Sequence, residues 1–193
     1  MRGINGDKKD FPMSSKSEKY KHTDTVIEGA LKKARELGIK KIVVASCTGF
    51  TAQKLLDCGL EVVCVTHQIG FHKPGKDEME LEMRKKLQDK GVKILTTTHL
   101  MAGIDRALRL QFEGVYPSEI VATTLRMFGE GVKVCVEISI MATDAGLVEP
   151  GKDIIALGGT GWGADTAAVI NPSHSQHFFK TKVREIICKP SLF

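Results

Sequence analysis

The sequence has 193 residues, 42% hydrophobic and 26% charged, which is typical of a globular protein and excludes a disordered or collagen-like chain. This length predicts a single domain. No apolar run approaches the roughly 18 residues that a membrane-spanning helix needs. The first residues also lack the apolar core of a signal peptide, so we expect a cytoplasmic protein without a membrane anchor.

The net charge of +5 is concentrated at the start of the chain, because residues 1–41 hold 11 Lys and Arg but 6 Asp and Glu. Residues 1–22 are polar and show no periodicity. They predict a basic, loosely ordered arm ahead of one domain over residues 23–193. Such an arm either keeps the chain in solution or touches an anion. It has no repeated basic motif and little aromatic content, so we do not expect it to bind nucleic acid.

The five cysteines form no C-x-x-C pair, and their odd number favours reduced thiols. The six histidines also lack the spacing of a zinc motif, so the sequence predicts no metal site.

Beyond the arm, helical and strand periodicities alternate along the chain. The first predicted element is a helix that has N-cap candidates over 23–25 and is stopped by Gly38. The elements that follow in chain order are a strand over 42–45, a short helix over 51–58, a strand over 61–66, a helix over 78–90, a strand over 92–95, helices over 103–113 and 117–128, a strand over 153–157 and an edge strand over 183–188. This alternation predicts an α/β fold in which helices cover a mostly parallel sheet.

Residues 132–146 are ambiguous, because they are rich in β-branched side chains and yet run for about 15 residues without a turn signal. As a helix, the segment places Val132, Val136 and Ile140 on one face and ends at Gly146. Its length favours a buried helix over a strand.

The segment 45–52, Ala-Ser-Cys-Thr-Gly-Phe-Thr-Ala, connects a predicted buried strand to a helix. A helix N-terminus attracts anions, the hydroxyls of Ser46, Thr48 and Thr51 are donors, and Gly49 permits a phosphate to approach the backbone. The segment is neither a Walker A loop nor a G-x-G-x-x-G fingerprint. It is therefore either a phosphate site or an ordinary capped turn.

A second segment, residues 158–166, holds four glycines within six residues and the only tryptophan, Trp162. It either lets a ligand approach closely, with Trp162 stacked on it, or forms a mobile turn between two strands. On the 132–146 helix, Glu137 and Asp144 share one face. Glu137 either accepts hydrogen bonds from a ligand or is a carboxylate near the helix end that reaches solvent or a lysine.

Two of these segments resemble the effector site of the C-terminal α/β domain of pyruvate kinase: Thr-Gly-Phe-Thr-Ala over 48–52 and Thr-Gly-Trp over 160–162. Residues 134–146, 161–167 and 184–190 are more similar still to stand-alone archaeal and bacterial proteins that consist of this domain alone. The resemblance covers residues 23–190. It implies a three-layer α/β/α sandwich with an antiparallel edge, where 165–170 return as a strand.

The resemblance further implies an effector-like pocket that accepts a phosphorylated aromatic ligand, with flavin mononucleotide (FMN) as the leading candidate. The phosphate would lie on the 46–51 turn and the ring near the glycine-rich loop. Two threonines at neighbouring strand ends would contact the linker or the ring edge. The predicted cofactor-binding residues are Ser46, Thr48, Gly49, Phe50, Thr51, Thr66, Thr97, Glu137, Gly159, Thr160, Gly161, Trp162, Asp165 and Thr166.

The sequence contains no convergent nucleophile and base, so it predicts a binding protein and names no catalytic residue. A flavin-dependent oxidoreductase is an alternative, with His67 or His99 as proton donor. A regulatory module that senses a sugar phosphate or nucleotide is another, and we expect a homo-oligomer. Pyruvate kinase activity is excluded for these residues alone, because the catalytic barrel with its metal-binding carboxylates and lysine does not fit in 193 residues.

Overall fold

The structure is a computed structural model that describes residues 22–191. The predicted basic arm, apart from residue 22, lies outside the described residues.

The described residues form one six-stranded sheet with the strand order β3-β2-β1-β4-β5-β6. Its strands are β1 (Lys41–Ala45), β2 (Glu61–Thr66), β3 (Lys93–Thr96), β4 (Ile154–Gly158), β5 (Thr166–Asn171) and β6 (Lys182–Cys188). The first four strands are mutually parallel, whereas β5 runs antiparallel to β4 and β6 antiparallel to β5. The mostly parallel sheet with an antiparallel edge is thereby confirmed.

Helices cover both faces of this sheet. They are α1 (Thr23–Leu37), α2 (Phe50–Gln53), α3 (Leu81–Asp89), α4 (Gly103–Phe112), α5 (Pro117–Arg126) and α6 (Glu130–Asp144), with a 3₁₀ helix over Ser175–Lys180. One apolar core joins the sheet to α1, α2 and α3 through side chains such as Ala30, Ala52 and Leu87. The second core lies on the opposite face, where Ala122 of α5 and Ile140 of α6 pack. The fold is therefore the expected three-layer sandwich.

The ambiguous segment is a helix, α6, which begins two residues earlier than predicted. Twelve of its fifteen residues are buried between the sheet and α5, which explains its apolar, β-branched composition. Gly146, at φ +71°, follows the helix, and its N–H donates to the Thr143 carbonyl at 3.0 Å. The predicted glycine stop is confirmed.

Helices α4 and α5 end one and two residues earlier than predicted, and two other helices differ more from their predicted bounds. Helix α2 covers one turn, and the chain beyond Gln53 continues in tight turns up to Asp57, which has a positive φ of 59°. Helix α3 begins after residue 80, because the Asp77 carboxylate accepts the Met79 N–H at 3.0 Å and holds the preceding residues in a turn. Both differences arise from local hydrogen bonds that apolar spacing does not report.

None of the helices within residues 22–191 is long and apolar enough to cross a bilayer. All five cysteines are free thiols, as their number and spacing predicted.

Candidate ligand-binding site

The sheet changes direction between β1 and β4. From β1 the chain builds outward through β2 and β3, then crosses to the other side of β1 to form β4. Val44 of β1 pairs with Leu157 of β4, so the loops that follow these two strands leave the sheet side by side. In parallel α/β sheets, ligands bind in the crevice outside the strand ends at this kind of reversal. Both segments singled out in the sequence flank it.

The turn after β1 uses part of its polar capacity internally. The Ser46 hydroxyl accepts the N–H groups of Thr51 at 3.1 Å and Ala52 at 3.3 Å, so it caps the start of α2. Ser46 and Thr51 are buried. Thr48 is exposed and forms no hydrogen bond with any described residue. Of the three predicted hydroxyls, that of Thr48 is the one open to a ligand.

Gly49 has a packing role. Its backbone φ of +85° is one that residues other than glycine rarely adopt. A Cβ at this position would lie 2.5 Å from the Met83 Cγ of α3. The approach of α3 is sufficient to explain this glycine without a phosphate. The neighbouring Phe50 ring is half-buried, with the Lys54 ammonium 5.3 Å from its centroid.

The glycine-rich loop after β4 packs tightly at its base. A Cβ on Gly158 would lie 2.4 Å from the Gly131 carbonyl oxygen of α6, and a Cβ on Gly159 would lie 2.5 Å from the Gly163 carbonyl oxygen. These contacts require small residues at the two adjacent positions where the loop begins. The start of α6 therefore lies directly against the end of β4.

Asp165 holds the same loop in shape. Its carboxylate accepts the Thr160 N–H at 2.9 Å and the Thr166 hydroxyl at 2.7 Å. Gly161 and Trp162 form the exposed tip, where the Trp162 side chain is 54% exposed. Asp165 and Thr166 thus have structural partners, and Trp162 is the loop residue that presents a large free surface.

A cavity of about 800 Å³ lies at the carboxyl ends of β1 and β2, on the face covered by α4, α5 and α6. Two of the predicted residues, Thr66 and Glu137, line it. Cys47 connects the cavity to the turn after β1. Neither the rest of that turn nor the glycine-rich loop lines the cavity, so the structure divides the predicted residues between two parts of one sheet edge.

Both carboxylate oxygens of Glu137 already have partners. One accepts the Met101 N–H at 2.8 Å, and the other pairs with Lys133, one turn earlier on α6. Glu137 is 3% exposed. Of the two interpretations that the sequence left open, pairing with a lysine is what the structure contains.

Thr66 interacts with the neighbouring strand through Thr96. Their hydroxyl oxygens lie 2.7 Å apart, and Thr96 also accepts a hydrogen bond from Arg84 at 3.1 Å. Thr97, the residue predicted from the sequence, is the next one along and is exposed. The fold brings Thr66 and Thr96 together and leaves Thr97 apart from this contact.

Sequence reasoning missed an aromatic cluster that lines the cavity. The rings of His67 and Phe71 stack with centroids 4.0 Å apart, and His99 lies 5.2 Å from Phe71. The Arg106 guanidinium lies 5.3 Å from the Phe71 centroid. Both histidines follow strands, which is visible in the sequence, but Phe71 lies in a segment without periodicity that gave no signal.

Burial shifts the pKa of two side chains in this region. It lowers the pKa of His99, partly opposed by the nearby Glu137 carboxylate. It also raises the pKa of the Cys47 thiol to about 12, partly opposed by the hydrogen bond that the sulfur receives from the backbone N–H of His67. Near neutral pH, both side chains are therefore uncharged.

Four basic side chains line the cavity. Arg109 pairs with Glu119, Arg126 with Glu130 and Lys133 with Glu137. The fourth, Arg106, is exposed and forms no ion pair with a carboxylate among residues 22–191. Its positive charge, which no carboxylate of the described residues neutralises, is therefore available to an anionic ligand.

The family described as "Pyruvate kinase, alpha/beta domain" matches residues 24–170. Among solved structures, a pyruvate kinase from Cryptosporidium parvum is 18% identical, and the match covers 72% of this chain and 21% of that one at a TM-score of 0.37. A complex of the pyruvate kinase of that organism with ADP is 16% identical, with 77% and 23% covered and a TM-score of 0.40.

The chain spans about a fifth of the length of these pyruvate kinases. The family match extends from α1 to the end of β5 and so includes both loops at the reversal of the sheet. Because this match covers well over half of its residues, the chain belongs to the pyruvate kinase alpha/beta domain family.

Proposed function

We propose that this chain binds a phosphorylated aromatic ligand, FMN, at the carboxyl edge of β1 and β4. The observation that carries the proposal is the Val44–Leu157 pairing, because of which the 46–51 turn and the glycine-rich loop follow neighbouring strands at one edge of the sheet. A crevice at a sheet reversal is where α/β folds bind ligands. The chain acts as a binding protein in this proposal, and no catalytic residue is assigned.

The phosphate binds at the turn after β1. Thr48 offers an exposed hydroxyl without a partner among the described residues. Ser46 supports it indirectly, because its hydroxyl holds the start of α2 in place. The unpaired Arg106 adds positive charge on the cavity side of the same edge.

The ring system occupies the cavity, whose volume of about 800 Å³ lies within the range of small-molecule sites. Cys47 borders both the turn and the cavity, so a ligand anchored by its phosphate reaches the cavity directly. Phe71, with His67 and His99 beside it, supplies an aromatic surface for stacking. Trp162, at the exposed tip of the glycine-rich loop, lies outside the cavity and offers an aromatic surface on the β4 side of the same sheet edge.

The test is a titration of FMN and of riboflavin against the protein, followed by the fluorescence of the flavin and of the single tryptophan. We expect FMN to bind at least tenfold more tightly than riboflavin, because riboflavin lacks the phosphate. Equal affinities would contradict a phosphate-anchored site. Absence of binding by either would contradict FMN as the ligand, and sugar phosphates and nucleotides would then be titrated.

A variant pair tests the location of the site. Thr48→Glu introduces a negative charge where the phosphate is proposed, and we expect it to weaken FMN binding at least tenfold. Gln88→Glu adds the same charge on the exposed surface of α3, away from the cavity, and should bind as the original protein does. Equal FMN affinity for the two variants would show that the phosphate does not bind at this turn.

A further inference from the structure

We propose that Cys47, His67 and Glu78 bind a divalent cation of the zinc class. The three residues come from separate parts of the chain: the turn after β1, the end of β2 and the segment before α3. Their ligand atoms, one from each side chain, all lie within 4.8 Å of one another. The sequence predicted no metal site, because these ligands have no motif spacing, and only the fold brings them together.

The ligand set determines the class of metal. A thiolate, an imidazole nitrogen and a carboxylate oxygen are ligands of Zn²⁺ and Co²⁺, whereas Mg²⁺ and Ca²⁺ require oxygen ligands. With Zn–S near 2.3 Å and Zn–N near 2.0 Å, tetrahedral ligand atoms lie about 3.5 Å apart. The ligand atoms that lie farthest apart, at up to 4.8 Å, therefore need to approach by about 1 Å, whereas the His67 and Glu78 atoms, now 2.6 Å apart, need to separate by roughly that much. The thiol releases its proton to solvent on binding.

Neighbouring side chains limit how far two of the ligands can move. His67 is held between its stacked contact with Phe71 and a hydrogen bond of 2.6 Å to Glu78. The other oxygen of Glu78 lies 3.6 Å from the His72 Nε2. The His67–Glu78 hydrogen bond opens when the metal takes its place, and His72 remains as a partner for the second carboxylate oxygen.

A second observation comes from His99. Its Nδ1 is buried and has no hydrogen-bond partner among the described residues, which is costly for a polar atom. The His99 ring lies 5.2 Å from the His67 ring. Three protein ligands leave one position of a tetrahedral metal to a water molecule or a ligand oxygen. A metal-bound water beside His99 would supply the partner that its Nδ1 lacks.

The metal site borders the cavity, because Cys47, His67 and His99 all line it. The metal site does not depend on the proposed flavin, because all three of its ligands are side chains of the protein. The two proposals therefore fail separately, and the metal is tested on protein without any flavin.

The test is a titration of the untagged protein with Co²⁺, followed by absorption. A thiolate-bound, tetrahedral Co²⁺ gives a sulfur-to-metal charge-transfer band in the near ultraviolet and intense bands in the visible. We expect both, with a stoichiometry of one, and displacement by Zn²⁺ but not by excess Mg²⁺. Absence of the charge-transfer band in the folded protein would overturn the proposal.

Variants assign the ligands. Cys47→Ser should abolish the charge-transfer band, whereas Cys58→Ser, which alters another half-buried thiol, should retain it. Glu78→Gln and His67→Ala should each weaken Co²⁺ binding at least tenfold. Circular dichroism establishes that each variant is folded. A band that survives Cys47→Ser, or that is lost with Cys58→Ser instead, would show that another thiol binds the metal and would refute the assignment.

Discussion

Lys133 and Glu137 form an ion pair one turn apart on α6, and their side chains are only 10% and 3% exposed. Glu137 also accepts the Met101 N–H, so the pair connects α6 to the segment before α4. A buried pair is costly to break, because the remaining charge has neither water nor a partner. This pair thus fixes the wall of the cavity from within α6.

Replacing Glu137 with glutamine should destabilise the fold strongly. Glu137→Gln leaves Lys133 charged and buried, and we expect a loss of about 3 kcal/mol in the free energy of unfolding. The double variant Lys133→Met with Glu137→Gln should recover much of the loss. Urea unfolding measures both. The matched control is Glu149→Gln, in the exposed pair with Lys152. If Glu137→Gln unfolds at the same urea concentration as this control, the pair is not structural.

Two glycine-to-alanine substitutions should act in opposite directions. A Cβ on Gly131 of α6 would lie 2.1 Å from the Thr166 hydroxyl oxygen of β5, so Gly131→Ala should cost about 1 to 3 kcal/mol through overpacking. Gly29 of α1 has its nearest neighbour, Ile187, at 3.9 Å, and Gly29→Ala should stabilise by about 0.5 to 1 kcal/mol. Thermal unfolding compares the two, and a neutral Gly131→Ala would contradict the close approach of α6 to β5.

The turn after β1 should separate stability from ligand binding. Ser46→Ala removes the acceptor of two N–H groups at the start of α2, at a cost of about 1 kcal/mol in stability. Thr48→Val removes an exposed hydroxyl, so its unfolding midpoint should stay unchanged while FMN binding weakens. Chemical unfolding and flavin titration on both variants distinguish the roles. The opposite pattern would assign the ligand contact to Ser46.

Asp144 should contribute to the loss of stability in acid. Burial alone would raise the pKa of Asp144, but hydrogen bonds from the Ser175 N–H and the His174 ring outweigh it and lower this pKa below its usual 3.8. As the pH falls, Asp144 is therefore protonated at a higher pH in the unfolded chain than in the folded protein. The stabilisation is present above the unfolded pKa and is lost as the pH falls through the lower, folded one.

The Asp144→Asn variant tests this contribution. It should be less stable than the original chain at neutral pH and should lose less further stability when the pH is lowered from roughly 5 to 3. Asp89→Asn removes a carboxylate from the exposed surface of α3 and matches the change in charge. Unfolding midpoints at several pH values give the comparison. Equal pH slopes for the two variants would contradict a role for the contacts of Asp144.

Periodicity and glycine stops were sufficient for much of the fold. The end of α1 was predicted to the residue, because its apolar spacing ends directly at Gly38, which adopts a φ of +66°. Its start was not, because the N-cap is His22 rather than one of the candidates over 23–25. Length alone resolved α6, since fifteen residues are too many for an ordinary strand. Helix α3 was predicted too long, because the hydrogen bond from Met79 to Asp77 interrupts a periodic segment.

The candidate site was less accessible to sequence reasoning. The sequence located both loops at one edge of the sheet. However, a sequence does not distinguish a glycine that allows a ligand to approach from one that allows a neighbouring helix to pack closely. Gly49 and Gly158 both prove to contact packed helices. Cys47, His67 and Glu78 meet only in three dimensions. Whether Thr96 or Thr97 faces Thr66 depended on a strand end, which propensities place only within a residue or two.

The position of β1 between β2 and β4 also constrains how the chain folds. Its first partner, β2, is encoded a few residues later, but β4 follows only after residues 46–153 have been added. Closing so distant a contact is slow, and in the meantime one edge of β1, which is apolar from residue 42 to residue 45, is unpaired. Until β4 has been made, this edge of β1 is therefore open to pairing with a strand of another chain.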